Sequence, residues 1–197
     1  AIINTTVGGI VTDKLKNSNF KCINLIHELS SVLEDYNLKD HAQIISNYSD
    51  EIIFPSSEVH ESFKKFLGTK IKAKTSILTQ GIYKKSKYYF FDSKDELKNM
   101  ARKKLKISSN KKIILGCGFA DERKGFDLYL ESASKLMKTQ KNVYAIWIGN
   151  FKDNFSDKMF NKLVPKKLRK NFYFPGFVEN TEDYYAAADI FALTSRE

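Results

Sequence analysis

The chain has 197 residues, 42% hydrophobic and 13% aromatic, which is enough apolar surface for a real core and argues against disorder. Its formal net charge is +10, carried almost wholly by Lys, with Arg only at 102, 123, 169 and 196. A membrane span, a secreted disulfide scaffold and a metal centre are set aside. No apolar run approaches the roughly eighteen residues a span needs, no signal peptide is recognisable, Cys22 and Cys117 lie far apart and read as reduced buried thiols, and His27, His41 and His60 have no partners at ligand spacing.

In chain order, IINTT reads as a strand and is followed by a helix near 7–17. FKCINLIH (20–27) is a strand that ends at a histidine. After a polar loop, 38–49 read as a helix with Leu38, Ala42 and Ile45 on one face. EIIFP (51–55) is a strand stopped by Pro55. Ser56 or Ser57 then caps a helix that places Val59, Phe63, Phe66 and Leu67 on one stripe, and KTSIL (74–78) is again a strand. Periodicity is lost over 81–92, GIYKKSKYYFFD, which reads as an interdomain connection.

A second series follows. Ser93 caps a helix to about 105, with Glu96 completing a capping box. KKIILGCG is a strand, 124–138 a helix and NVYAIWIGN (142–150) a strand. A helical stretch over 154–170 is broken at Pro165, FYFPGF holds a short strand, 181–188 are a helix and DIFALTS (189–195) is a strand. Short strands joined by helical crossovers are the pattern of parallel α/β sheets, so the expected fold class is α/β with two lobes. The chain begins inside one strand-like run and stops just after another, so it is expected to be a piece of a longer chain with both lobes incomplete.

In parallel sheets, ligands bind beyond the carboxyl ends of the strands. The stretch GCGFADERKG (116–125) lies there. Gly116 and Gly118 would permit close backbone approach, the helix starting near Lys124 would offer free amides, and Arg123 and Lys124 add positive charge. Together these suit a phosphate or pyrophosphate. The stretch is neither a Walker loop nor a GxGxxG fingerprint. The clusters KKSK (84–87), ARKKLK (101–106) and PKKLRK (165–170) read first as solvated helix faces, and alternatively as contacts for an anionic membrane surface or a nucleic acid. Nucleic acid is disfavoured because no binding motif and no interleaved exposed aromatics accompany them.

The order of motifs resembles the family 4 retaining glycosyltransferases, also called group 1, of the GT-B fold. The resemblance rests on LIHELSS, PSSEVHESF, SILTQGI, LGCGFADERKGFDLYLESASKL, YAIWIGN and FYFPGFVENTEDYYAAADIFALTSRE, and covers nearly the whole chain. It implies two Rossmann-like lobes. Residues 1–82 would be the C-terminal part of the acceptor-side domain, and 83–197 the linker and N-terminal part of the donor-binding domain. It implies transfer of a sugar, with retention, from a nucleotide-diphosphate-sugar donor to an acceptor such as a glycan, lipid or other cell-envelope precursor, without cofactor or obligatory metal. Lys124 would contact the donor pyrophosphate, aided by Arg123, Gly116 and Gly118. Gly149, Asn150, Gly176, Phe177 and Val178 would hold the nucleoside, and His27 would face the transferred sugar.

Three departures from the family pattern stand out. The position of a frequent Arg six residues before the Lys is Gly118. The chain stops at or before the first Glu of the family's acidic motif, with Glu197 falling one position short. The Gly-rich loop after the family's first strand is absent, so this piece alone is expected to be inactive. The implied setting is cytoplasmic and peripheral to the inner face of an anionic membrane. A nucleotide-sugar epimerase of the same fold, or a non-catalytic basic binding module for membrane or nucleic acid, are the alternatives.

Overall fold

The computed structural model describes residues 1–81, 85–152 and 154–196. Part of the expected connection, 82–84, and Glu197 lie outside the described residues. The chain divides into two compact units, Ala1–Tyr83 and Lys84–Glu197.

The first unit is a four-stranded parallel sheet in the order β1-β2-β3-β4, with β1 Ile2–Asn4, β2 Ile23–Leu25, β3 Glu51–Phe54 and β4 Lys74–Ile77. The expected helix near 7–17 is a 3-10 segment, Thr6–Val11, leading into α1, Thr12–Asn17. The stretch before α3 (Lys39–Tyr48), read as a polar loop, contains a short helix, α2, Ser30–Asp35. Its single turn and a half escapes a periodicity reading because only Leu33 of it is buried. Helix α4, Ser57–Leu67, is capped by Ser56, whose side chain accepts from the Val59 N–H at 3.3 Å, and it ends at Gly68 in the left-handed conformation. Val59, Phe63 and Leu67 of α4 pack on Ile52 and Phe54 of β3 and on Leu33, Ala42 and Ile45.

The second unit is a parallel sheet in the order β7-β6-β5-β8. Helix α5, Lys94–Lys104, is capped by Ser93, which accepts from the Glu96 N–H at 3.2 Å. Then come β5 (Lys112–Cys117), α6 (Phe126–Thr139), β6 (Val143–Ile148), α7 (Phe155–Leu163), β7 (Phe172–Gly176), α8 (Thr181–Ala187) and β8 (Ile190–Phe191). After Pro165 the chain forms a 3-10 turn, Lys166–Asn171, as a helix-breaking proline demands. Each face of the sheet has its own core. One gathers Phe126, Tyr129, Leu130 and Trp147 with α7, and the other packs Ala101 of α5 and Tyr184 and Ala187 of α8 against Ile113, Leu115 and Ile146. Strand β8 is much shorter than the sequence suggests, because only Ile114 and Leu115 of β5 pair with it.

Candidate functional site

Chain order and sheet order part company at β5. The sheet grows from β5 to β6 and β7 on one side, and β8 adds on the other. Such a switch opens a crevice at the carboxyl ends of the strands. The loops that follow β5 and β8 meet there, and the contact is extensive. The Thr194 hydroxyl donates to the Lys124 carbonyl at 3.2 Å, the Ser195 hydroxyl to the Arg123 carbonyl at 3.3 Å, and the Arg196 N–H to that same Arg123 carbonyl at 2.9 Å. Gly125, with φ +66, lets the two loops touch, since a Cβ there would lie 1.9 Å from the Thr194 carbonyl oxygen.

The sequence reading expected free amides near Lys124, and the structure corrects this. Helix α6 starts at Phe126, and Asp121 and Glu122 fold back to occupy the amides before it. The Asp121 carboxylate accepts from the Lys124 N–H at 2.8 Å, its carbonyl from the Phe126 N–H at 3.1 Å, and the Glu122 carbonyl from the Gly125 N–H at 3.0 Å. An anion here would meet side-chain charge instead. Among the described residues, neither the Lys124 ammonium nor the Arg123 guanidinium has a carboxylate partner. Lys124 is half-buried and Arg123 exposed. The Lys124 chain is laid against Gly118, where a Cβ would sit 3.4 Å from the Lys124 Cγ.

Beside that lysine lies a cavity of about 300 Å³ lined mostly by apolar atoms, among them Gly118, Phe119, Ile148, Gly149, Phe177 and Val178. Cys117, Asn150 and Thr181 complete its wall. Gly149 (φ +127) is pressed against the β5 loop, and a Cβ on it would lie 2.2 Å from the Gly118 carbonyl oxygen. That oxygen also accepts from the Trp147 indole N–H at 3.0 Å, so a core residue fixes the cavity's floor. The Gly149 N–H donates to the Gly176 carbonyl at 2.8 Å, tying the β6 and β7 ends together. Phe177 projects with 71% exposure.

The structure thus brings Gly118, Lys124, Gly149, Asn150, Phe177 and Val178 to one edge, with Gly176 just behind them and Arg123 beside Lys124. Gly116 is placed elsewhere. It is buried inside β5, and the space a Cβ would fill is taken by the Trp147 ring at 2.2 Å, so its missing side chain serves packing rather than approach to a ligand. Cys117 is only partly buried, and burial together with its contact pushes the Tyr185 phenol up to about 12. Phe119, Thr181 and the bracing role of Asp121 carried no signal in the sequence, because each depends on how loops from separate strands meet.

His27 belongs to the first unit. It follows β2, and both ring nitrogens are engaged, Nε2 with the Asn4 Oδ1 at 2.8 Å and Nδ1 with the Gln80 Nε2 at 2.8 Å. Glu28 accepts from the Thr6 hydroxyl at 2.9 Å and from the Thr6 and His27 N–H groups, each at 3.2 Å. Thr5 lies between these contacts with φ 67 and ψ 156, a conformation that is strained for a β-branched residue. The ends of β1, β2 and β4 therefore converge on one polar cluster. Asn4 was not identifiable from the sequence, since nothing local marks it as a partner of His27.

Comparison with known proteins now fixes the family. A family model described as "Glycosyl transferases group 1" matches residues 97–197. The chain belongs to this family. It is 29% identical over 162 residues to the processive diacylglycerol alpha-glucosyltransferase of Acholeplasma laidlawii, covering 80% of this chain and 45% of that protein. It is 33% identical over 98 residues to the alpha-galactosylglucosyldiacylglycerol synthase of Streptococcus pneumoniae, covering 48% of this chain and 25% of that protein. The fold matches Anabaena HepE, solved with UDP-glucose, with TM-score 0.74 at 19% identity over 98% of this chain and 53% of that one. It also matches WaaG, a glycosyltransferase of lipopolysaccharide biosynthesis, with TM-score 0.67 at 17% identity over 95% and 56% of the two chains. These are GT-B structures, so the expected α/β class is met. The chain spans about half or less of the length of the relatives it matches. No helix among the described residues is long and apolar enough to cross a membrane.

Proposed function

We propose that this chain is part of an enzyme that transfers a sugar, with retention, from a nucleotide-diphosphate donor to a lipid acceptor at a membrane surface. The reading is carried by one observation, the Lys124 side chain, without a carboxylate partner among the described residues, laid against Gly118, which lines a mostly apolar cavity. The cavity suits the nucleoside end of a donor, with Phe177 and Val178 over the base and ribose. The Lys124 ammonium suits the diphosphate, with Arg123 nearby. As the sugar–oxygen bond breaks, negative charge builds on the departing diphosphate, and a positioned ammonium stabilises it without a metal or cofactor. Retention is the family pattern, and the two lipid-glycosylating relatives support the acceptor class. In this reading the second unit holds the donor.

The test is calorimetric titration of UDP and UDP-glucose into the 197-residue chain. A charge-assisted phosphate contact contributes about 1.5–3 kcal/mol, so Lys124→Ala should weaken donor binding roughly ten- to a hundredfold with the circular dichroism unchanged. Equal affinity in a folded variant removes Lys124 from the site.

A further inference from the structure

The net charge is not shared between the units. Residues 1–83 hold nine Lys, no Arg and nine Asp or Glu, so the whole +10 belongs to 84–197, with 24 basic against 14 acidic residues. Much of it gathers at one end of the second sheet. Three segments enter neighbouring strands at their amino ends, 105–111 before β5, 140–142 before β6 and 164–171 before β7. They carry Lys106, Lys111, Lys141, Lys166, Lys167 and Lys170 and no acidic residue. Neighbouring strands lie about 4.8 Å apart, so these segments are side by side.

The lysines close by are spoken for. Asp183 takes Lys87 at 2.7 Å and Lys104 at 2.5 Å, and Asp189 takes Lys98 at 2.6 Å and Lys112 at 3.7 Å. Among the described residues, none of the six lysines named above has an ion-pair or side-chain hydrogen-bond partner. Like charges collected without counterions repel one another, and an anionic ligand relieves that repulsion.

A cavity of about 320 Å³ lies within this basic end, lined by Lys106, Ser108, Lys111, Tyr144 and Tyr173 over the apolar floor of Leu105 and Ile107. Lys106 stands just past the end of α5 with φ 56, where glycine or asparagine is usual. A lysine held in the left-handed region costs on the order of 1 kcal/mol, and such strain concentrates at binding sites. Tyr144 is raised in pKa by burial and then by Tyr173, so its phenol remains an O–H donor. The Ser108 hydroxyl already donates to the Asn110 Oδ1 at 2.9 Å, so the cavity offers two ammonium groups and two phenols, and its lining has no carboxylate.

We propose that this cavity binds a phosphate ester, with Lys106 and Lys111 on its charged oxygens and Tyr144 and Tyr173 as neutral donors. It lies at the opposite end of the sheet from Lys124, so it is a second site and can be filled together with the donor site. The ester is either a soluble phosphate or the headgroup of an anionic lipid.

The experiment titrates the 197-residue chain with glycerol 3-phosphate, followed by calorimetry, and with vesicles of phosphatidylglycerol or phosphatidylcholine, followed by co-sedimentation. Binding of the soluble ester identifies a free ligand. Binding of phosphatidylglycerol vesicles alone identifies a headgroup. In either case Lys106→Gln with Lys111→Gln should weaken binding at least tenfold, Tyr144→Phe should weaken it severalfold, and Lys124→Ala should leave it unchanged. The proposal is overturned if neither probe binds, or if Lys124→Ala abolishes binding. It is also overturned if Lys166→Gln, Lys167→Gln and Lys170→Gln together weaken binding as much as the cavity pair while Tyr144→Phe has no effect, since that is adsorption to net charge.

Discussion

Arg196 holds the carboxylate of Asp127 with both terminal nitrogens, at 3.0 and 2.8 Å, and so fastens the segment after β8 to the first turn of α6. The guanidinium beside it holds the Asp127 carboxyl below its ordinary range. The same arginine also donates to the Glu122 carbonyl, so one side chain braces both flanks of Arg123-Lys124-Gly125. The pair is partly exposed, so solvent screening limits its worth. Asp127→Asn and Arg196→Ala are each expected to weaken UDP-glucose binding roughly three- to tenfold, and the double variant should be no worse than either single one. A double-mutant cycle by calorimetry measures the coupling, and fully additive losses would show that the pair does not act as a unit.

This brace shows where the sequence runs out as a guide. Parallel α/β architecture was legible because Val59, Phe63 and Leu67, or Ile113 and Leu115, repeat with the periods of helix and strand. The switch in strand order was not, since nothing local says that β8 pairs with β5 rather than extending from β7. For the same reason the sequence suggested Lys124 as a phosphate ligand on sound chemistry but credited it with helix amides that Asp121 already occupies. Gly116 and Gly118 look alike in a GCG run, yet Gly116 lies inside β5 with its Cβ position against Trp147, whereas Gly118 lies just past the strand end with φ +139 and meets Lys124.

The glycines at the cavity separate two kinds of constraint. Gly149 combines φ +127 with a Cβ position 2.2 Å from backbone oxygen, whereas Gly176 has φ +80 and open space around it. Gly149→Ala should cost roughly 2–4 kcal/mol of stability and abolish donor binding, because the β5 loop must move. Gly176→Ala should cost only about 1 kcal/mol, the conformational part. Urea unfolding of the two variants beside the parent chain measures the difference, and equal losses would mean that crowding at Gly118 is not what fixes Gly149.

Asp183 should make the second unit acid-sensitive. Burial alone would raise its pKa, but hydrogen bonds from Lys104, Lys87 and Tyr88 outweigh that and bring it down to about 2. A carboxyl whose pKa is depressed in the folded state adds stability above its unfolded pKa, near 3.8, and loses it as pH falls through the folded value. The shift corresponds to roughly 2 kcal/mol, present at pH 5 and above and fading toward pH 2. Asp183→Asn should lower stability at pH 6 by at least that much and flatten its pH dependence between pH 4 and 2. Denaturant midpoints at several pH values decide this, and parallel curves for parent and variant would contradict it.

The last prediction concerns which nitrogen of His27 carries the proton. The carboxamide oxygen of Asn4 can only accept, and it sits 2.8 Å from Nε2. The NH₂ group of Gln80 can only donate, and it sits 2.8 Å from Nδ1. The two contacts are compatible with one state, the neutral imidazole protonated at Nε2. Protonating Nδ1 would set two donors against each other until the Gln80 carboxamide turned over. If His27 faces a sugar in the intact enzyme, its Nε2–H is the group on offer, and Asn4 must yield that proton for it to reach a sugar oxygen. Asn4→Ala should therefore leave the tautomer unchanged while exposing the N–H, whereas Gln80→Leu should let the Nδ1–H tautomer appear. Long-range proton–nitrogen correlation spectra of ¹⁵N-histidine-labelled chain above pH 8 distinguish the two forms directly. A dominant Nδ1–H signal in the parent chain would show that the cluster at the ends of β1, β2 and β4 is wired the other way round.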